Sequence, residues 1–337
     1  MPHVNEVRKE AGLTTKGGLI AERLKVKNIQ ILLSTYNGAA YLKEQLESFL
    51  SLDNYASVKV LIRDDGSTDG TVEMLREYRD KHGFEVVFGE NLGLNRSLRE
   101  LLALADKECE YIAFSDQDDI WLPHKLTRAI EAIEREGKHG AVLYCARSLL
   151  VDCELKETGA TLVPKKGPSF YNAMVQNVAV GHTQVFTREL LELLLRPFSE
   201  DMVITDHWNY LIASTAGKVV YDPEATTLYR QHGSNVIGYG GGFFSTLKRR
   251  IKRVLSGKPQ ENSRQLTSFL DIFSDVMQDE HRRELTRFLA GQKNVFKRIC
   301  YLIKSRVYRQ TAGETLIFRT MYLLGRYKIK KNKTERK

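Results

Sequence analysis

Val58–Tyr78 reads VKVLIRDDGSTDGTVEMLREY. A β-branched run, Val58–Arg63, breaks into the polar cluster Asp64-Asp65-Gly66-Ser67-Thr68-Asp69-Gly70, and helical spacing then begins at Val72, Leu75 and Tyr78. Ser67, Thr68 and Asp69 are natural caps for that helix, because their short side chains can accept from its first free N–H groups. A strand, a polar turn and a helix in this order form the repeating unit of a parallel sheet.

The unit recurs on both sides of this stretch. Ile29–Ser34 is followed by a stripe at Leu42, Leu46, Phe49 and Leu50. Glu85–Phe88 is followed by Leu94, Leu98, Leu101 and Leu102; Tyr111–Ser115 is followed by Leu122, Leu126, Ile130 and Ile133. Ala141–Ala146 closes the series. Apolar residues three, four and seven apart share one helix face, so each stripe predicts a helix laid on the sheet. Pro123 fits a first helical turn, where a missing N–H costs nothing. The fold class is therefore α/β: a mostly parallel mixed sheet with helices on both faces.

Residues 147–240 read as more mixed. Strands are expected at Arg147–Asp152, Lys218–Tyr221 and Ala225–Tyr229, and helices at Glu189–Leu195 and Thr205–Ala216. The GYGGG run at 238–242 marks a boundary, and the chain beyond it reads as helical and basic. Three parts follow: a flexible N-terminal segment, 1–27; the α/β domain, 28–240; and a basic helical C-terminal region, 241–337.

Composition narrows the classes of function. With 42% hydrophobic and 28% charged residues, the 337-residue chain is globular by composition, neither disordered nor fibrous. No stretch approaches the roughly 20 apolar residues of a spanning helix, and the N-terminus lacks the apolar core of a signal peptide. Cys109, Cys145, Cys153 and Cys300 form no CxxC pair and read as reduced thiols in a cytosolic protein. The net charge of +9 is uneven: segment 293–337 holds fourteen basic and two acidic residues, and 243–258 holds six basic and none acidic. The remainder, 31 basic against 40 acidic residues, is mildly acidic.

Open parallel sheets bind ligands beyond the carboxyl ends of their strands. Three polar clusters fall there: Ser34-Thr35-Tyr36-Asn37-Gly38, Asp64–Gly70, and Ser115-Asp116-Gln117-Asp118-Asp119. Turn chemistry explains any one of them; three on one sheet edge argue for a site. Asp116-x-Asp118 suits a hard divalent cation, which takes one or two carboxylates and leaves positions for phosphate oxygens. Carboxylates packed as closely as Asp116, Asp118 and Asp119 repel one another without such a cation.

STYNG, IRDDGSTDGT, ENLGLNRSL and FSDQDDIWLPHKL, in this order and spacing, resemble the family 2 inverting glycosyltransferases of the GT-A fold. The resemblance covers roughly residues 28–240. SDQDDIWLPHKL, TDHWNYLIA and YRQHGSNVIG are more similar to the bacterial rhamnosyltransferase-like branch. By position, the resemblance implies that Thr35, Tyr36 and Asn37 line a nucleotide pocket, that Asp65 bonds the pyrimidine base and that Asp64 supports the loop. Asp116 and Asp118, Asp118 foremost, would hold Mg²⁺ or Mn²⁺ against a diphosphate, with Gln117 between them on the nucleotide side. Asp206 matches the position of the catalytic base, although His207 stands where the branch often has an aromatic. His232 would touch the metal or diphosphate, His182 the sugar or acceptor, and Asn91 with Gly93 the nucleotide side. The plain alternatives are a loop histidine, a tight turn at Gly181-His182-Thr183, and a turn leading into a helix. Trp121 and Trp208 read as packing.

The implied reaction is in-line attack of an acceptor hydroxyl on the sugar C1, with a nucleoside diphosphate leaving. Such chemistry needs one general base and one metal. The implied donor is dTDP-L-rhamnose, or by the same chemistry a UDP-sugar; the acceptor is a saccharide or lipid-linked saccharide of bacterial surface polysaccharide. A non-catalytic sugar-nucleotide or polyanion binder is the rival from another class. Phe244, Leu247, Ile251 and Val254 share a face apart from Lys248, Arg249, Arg250, Lys252 and Arg253. That pattern suits an anionic membrane surface, so the expected location is cytoplasmic and peripheral at the inner face of the plasma membrane. A solvated helical cap is the plain alternative, and nucleic acid is not an expected partner.

Overall fold

A computed structural model describes residues 27–53, 56–137, 140–197, 199–232 and 259–329. The first half contains β1 (Lys27–Thr35), α1 (Leu42–Leu50), β2 (Ala56–Asp64), α2 (Thr71–His82), β3 (Glu85–Phe88), α3 (Leu94–Leu104), β4 (Tyr111–Ser115), β5 (Ile120–Trp121) and α4 (Lys125–Arg135). There follow β6 (Val142–Val151), β7 (Glu157–Ala160), α5 (Phe170–Ala173), β8 (Val185–Thr187), α6 (Arg188–Leu194), α7 (Thr205–Ala216) and β9 (Lys218–Arg230). Four helices complete the described chain: α8 (Pro259–Phe273), α9 (Asp279–Gly291), α10 (Val295–Lys304) and α11 (Ala312–Leu323).

The sheet runs β3-β2-β1-β4-β8-β6-β9-β5, with β7 paired to β6. Ladders β1·β2, β1·β4, β2·β3 and β6·β9 are parallel, whereas β8 is antiparallel to both β4 and β6. Two antiparallel steps restore direction, so β1, β2, β3, β4, β6 and β9 all point the same way. Their carboxyl ends form one rim, and the polar clusters lie on it.

Strand residues alternate between two cores. Ile31 and Leu33 pack on one side with Leu42, Leu46, Leu75 and Ile130; Leu32 packs on the other with Leu101, Leu190, Leu211 and Phe269. Helices α1, α2 and α4 therefore cover one face, and α3, α6, α7 and the C-terminal helices cover the other. Burial on both faces is why the strands read as continuous apolar runs rather than alternating ones.

The structure revises four local expectations. Arg147–Asp152 is not a separate strand but the second half of β6, and the two expected strands at 218–229 are one, β9. The register of β9 against β6 jumps from Asp222 to Ala225, a bulge around Pro223, which has no N–H to give the ladder. Pro123 precedes α4 rather than entering its first turn, and its carbonyl accepts from Asp53 N–H at 3.0 Å. None of the three proposed caps sits at the N-cap of α2, which is Gly70; Asp69, one residue before it, accepts from Thr71 N–H at 3.0 Å.

Residues 259–329 are helical and share the second core with the sheet. The proposed interfacial pattern Phe244–Val254, the glycine-rich boundary and residues 1–26 lie outside the described residues. No described helix is long and apolar enough to cross a membrane.

Candidate active site

The loops after β1 and β2 are tied together residue by residue. Thr35 Oγ1 donates to Asp64 Oδ1 at 2.9 Å, and Asp64 also accepts from the Ser67 N–H and hydroxyl. Asp64 thus spends its carboxylate on Thr35 and on its own loop. Asn37, at φ 47°, gives its N–H to Ser67 Oγ and accepts from Thr68 N–H with its side chain, both at 2.8 Å. Its left-handed backbone is one that Asn tolerates. Asp65 is buried, paired with Arg63, and accepts from Leu92 and Gly93 N–H at 2.9 Å each. It joins the β2 loop to the turn leading into α3. Asn91 sits exposed on that turn.

The loop after β4 closes on Tyr36. Tyr36 N–H donates to Gln117 Oε1 at 2.9 Å, and Gln117 Nε2 returns a bond to the Tyr36 carbonyl at 3.1 Å. The exposed Tyr36 ring stands at the edge of this junction. Gly38 has no side chain because Gln117 fills the space a Cβ would need.

The acidic residues of the β4 loop divide into two sets. Asp118 Oδ2 meets His232 Nε2 at 2.8 Å, and the His232 ring stacks on Tyr41 with centroids 4.9 Å apart. Asp116 and Asp119 turn instead toward His182, whose Nδ1 lies 3.6 Å from one carboxylate and 3.5 Å from the other. Among the described residues, Asp116, Asp119 and His182 form the one group of three or more potential ligands gathered within 4.8 Å.

This triad has the donor set of a divalent cation site, two carboxylate oxygens and an imidazole nitrogen. Asp119 Oδ2 and His182 Nδ1 are both buried and neither has a hydrogen-bond partner. Unpaired buried polar atoms are costly, and two facing each other across the triad are what a cation between them would satisfy. His182 Nε2 bonds Ser148 Oγ at 2.9 Å, an outer contact that fixes the ring. Asp116 keeps the triad open, with about half of its side chain exposed (48%).

Asp206 reaches the same place from the other face of the sheet. It lies in the first turn of α7, buried, with Oδ2 accepting from Gly181 N–H at 3.1 Å. Its Oδ1 is buried without a partner. Gly181–Thr183 is a single 3-10 turn, so one short element carries His182 to the triad and Gly181 to Asp206. Lys125 holds that turn from beneath: its Nζ donates to the His182 carbonyl and to Thr227 Oγ1, each at 2.7 Å, and lies over the Trp121 ring.

Electrostatics follow burial. Burial pushes Asp206 up to about 6, with the Asp116 charge adding to the effect and the Gly181 and His207 N–H groups opposing it. Burial raises Asp119 far above the ordinary carboxylate range, and the charges of Asp116 and Asp118 add to it. Burial also raises Asp118, and Asp116 reinforces the shift. Burial works against a charged His182, but Asp119 and Asp116 outweigh it and raise the imidazole. Three carboxylates and a histidine whose protonation states are this interdependent are characteristic of functional sites.

Of the twelve site residues singled out by sequence, all lie on or beside the rim except Asn91, which stands on the turn behind Asp65. The structure adds Asp119, Lys125, Ser148, Tyr41 and Arg230, whose N–H donates to Asp119 Oδ1 at 3.2 Å. Asp119 was visible in the acidic cluster itself; Lys125 of α4 and Arg230 of β9 fall inside the WLPHKL and YRQHGSNVIG stretches without being singled out there, and Ser148 of β6 and Tyr41, just before α1, belong to no quoted motif. His207 does not face the site: its Nε2 meets the Ala173 carbonyl at 2.6 Å and its Nδ1 meets Gln265 of α8. Trp121 and Trp208 are packing residues, Trp208 standing edge-on to Phe269 and Phe273.

The family model described as Glycosyl transferase family 2 matches residues 30–195. The dTDP-rhamnosyl transferase RfbG of Shigella flexneri is 27% identical over 236 residues, 64% of this chain and 77% of that protein. An uncharacterized glycosyltransferase of Nostoc sp. is 28% identical over 223 residues, 61% of this chain and 66% of its own length. Among solved structures, S. aureus TarS 1-349 in complex with UDP-GlcNAc superposes with a TM-score of 0.54 at 16% identity, covering 89% of each chain. That likeness is one of fold, the GT-A fold.

Proposed function

The chain belongs to glycosyl transferase family 2, and on that premise we propose a metal-dependent transferase that inverts the sugar it moves, with Asp206 as its base. The observation that carries the proposal is the meeting of two unsatisfied sets at one turn: the Asp116, Asp119 and His182 triad, and the unpaired Oδ1 of Asp206.

In this reading Asp116, Asp119 and His182 hold Mg²⁺ or Mn²⁺, with Asp118 and His232 flanking them. A divalent cation there supplies neutralising charge for the departing nucleoside diphosphate. The rest belongs to the chain. Thr35, held by Asp64, Tyr36, held by Gln117, and Asn37, held by Ser67 and Thr68, present the nucleotide wall. Asp206 Oδ1 takes the proton of the acceptor hydroxyl as its oxygen attacks C1 from the side opposite the diphosphate. The C1–O bond to the diphosphate breaks as the new bond forms, and the anomeric centre inverts. A carboxylate raised to about 6 is a stronger base than an ordinary one yet remains ionised near neutrality, a match that favours general-base catalysis.

The donor we propose is dTDP-L-rhamnose, on the strength of the relative from Shigella flexneri named as a dTDP-rhamnosyl transferase. A UDP-sugar is the second reading. The acceptor is a saccharide or lipid-linked saccharide, and the site of action is the cytoplasmic face of the bacterial membrane.

The test is nucleoside diphosphate release by full-length protein across a panel of nucleotide sugars with Mn²⁺ or Mg²⁺, before and after EDTA. The expected result is release from dTDP-rhamnose that EDTA abolishes. Release from a UDP-sugar alone overturns the donor and keeps the chemistry; release insensitive to EDTA overturns the metal.

A further inference from the structure

Helices α10 and α11 are built the wrong way round for helices surrounded by water. In α10, Tyr301 is buried against Phe288 of α9, with ring centroids 5.7 Å apart. The opposite face carries Phe296, Ile299 and Ile303, spaced i, i+3, i+7. Phe296 is 76% exposed and Ile303 is 75% exposed. In α11, Tyr322 packs on the same Phe288 at 5.1 Å. Its outward side carries Leu316 and Leu323, and Leu324 follows directly; Leu316 is 66% exposed and Leu324 is 70% exposed. Tyr301 also meets Tyr322 at 4.9 Å, so the two helices lie side by side over α9 and turn their apolar sides away from the core.

The charge around this face has one sign. Residues 292–329 contain nine basic residues and a single acidic one, Glu314. Lys293, Lys297, Lys304, Arg319, Arg326 and Lys328 are all exposed. A second copy of the chain docking through this face would bring cations against cations. An anionic phospholipid surface meets both features at once, with acyl chains for the apolar side chains and headgroups for the lysines and arginines. Exposed apolar surface rimmed by such charges marks an interaction site.

We propose that the outer face of α10 and α11 docks the protein on an anionic membrane, with Phe296, Ile299, Ile303, Leu316 and Leu324 entering the interface. This is independent of the residues assigned to transfer and of the segment at 243–258.

Full-length protein is floated with vesicles of phosphatidylglycerol and phosphatidylcholine, and separately with phosphatidylcholine alone. The expected result is binding to the anionic vesicles only, weakened by salt. Phe296→Ser with Ile303→Ser leaves every charge in place and removes only exposed side chains. The double variant is expected to bind at least about tenfold more weakly, with unchanged circular dichroism and unchanged nucleotide-sugar turnover in solution. Wild-type protein that stays in solution overturns the proposal, as does a double variant that binds as wild type. A concentration-dependent dimer that the double variant dissociates assigns the face to a second copy and also overturns it.

Discussion

Asp118 and Asp119 are adjacent in sequence yet face different partners. Asp118 turns to His232 at 2.8 Å, and Asp119 turns inward to His182. Sequence spacing marks Asp116 and Asp118 as the paired ligands, because a DxD pattern places alternate residues on one side of an extended loop. The loop is not extended here: β5 begins at Ile120 and pulls Asp119 into the sheet beside β9, where Arg230 N–H binds it. The two ligand sets separate by experiment. Mn²⁺ is expected to raise the melting temperature of the wild type by a few degrees through binding linkage. Asp119→Asn removes most of that gain, while Asp118→Asn keeps more of it. Thermal shift with and without Mn²⁺ reads the difference, and the reverse order places the ion on Asp118 and His232.

At the scale of elements, the strands that end in functional residues were legible because they are buried on both faces and read as uninterrupted apolar runs. β1, β2 and β4 fall within a residue or two of where composition places them. β6 and β9 were less legible. Asp222 and Pro223 look like a strand end, and only the pairing partner β6 shows that the strand resumes past them. Asp222 is held there by Arg128, Tyr144 and Glu224 N–H, each at 2.9 Å. His182 shows the same limit: a Gly-His-Thr turn carries no signal of the carboxylates that the loop after β4 and helix α7 bring beside it.

The contact of α7 with α8 is a further element-scale feature, and it titrates. His207 lies between the Ala173 carbonyl and Gln265, and burial lowers it to about 4. Between that value and the ordinary 6.5, the unfolded chain binds a proton that the folded one does not. The stability this histidine supports is complete above about pH 6.5 and declines as the pH falls toward 4. Denaturant titrations of wild type and His207→Gln are expected to converge over that window, by roughly 3 kcal/mol. A constant difference between them would mean that His207 is not held neutral.

For the molecule as a whole, one arrangement explains both the fold and the chemistry. Six strands of one direction bring their carboxyl ends to a single rim, and antiparallel β8 sits between β4 and β6 so that Gly181–Thr183, just before it, is delivered to that rim. Helix α7, on the opposite face from α1, supplies Asp206. The C-terminal helices brace α7 through Phe269, Phe273 and Gln265, and their outer layer carries the apolar face assigned to the membrane. Asp206 is where these levels meet, so the decisive measurement compares turnover and donor binding in Asp206→Asn. A neutral amide of the same shape keeps the bond to Gly181 N–H but has no basic oxygen. Transfer is expected to fall by about 10²–10⁴-fold, while the dissociation constant for the donor with Mn²⁺ changes by less than about threefold. Transfer that survives at wild-type rates would contradict the account.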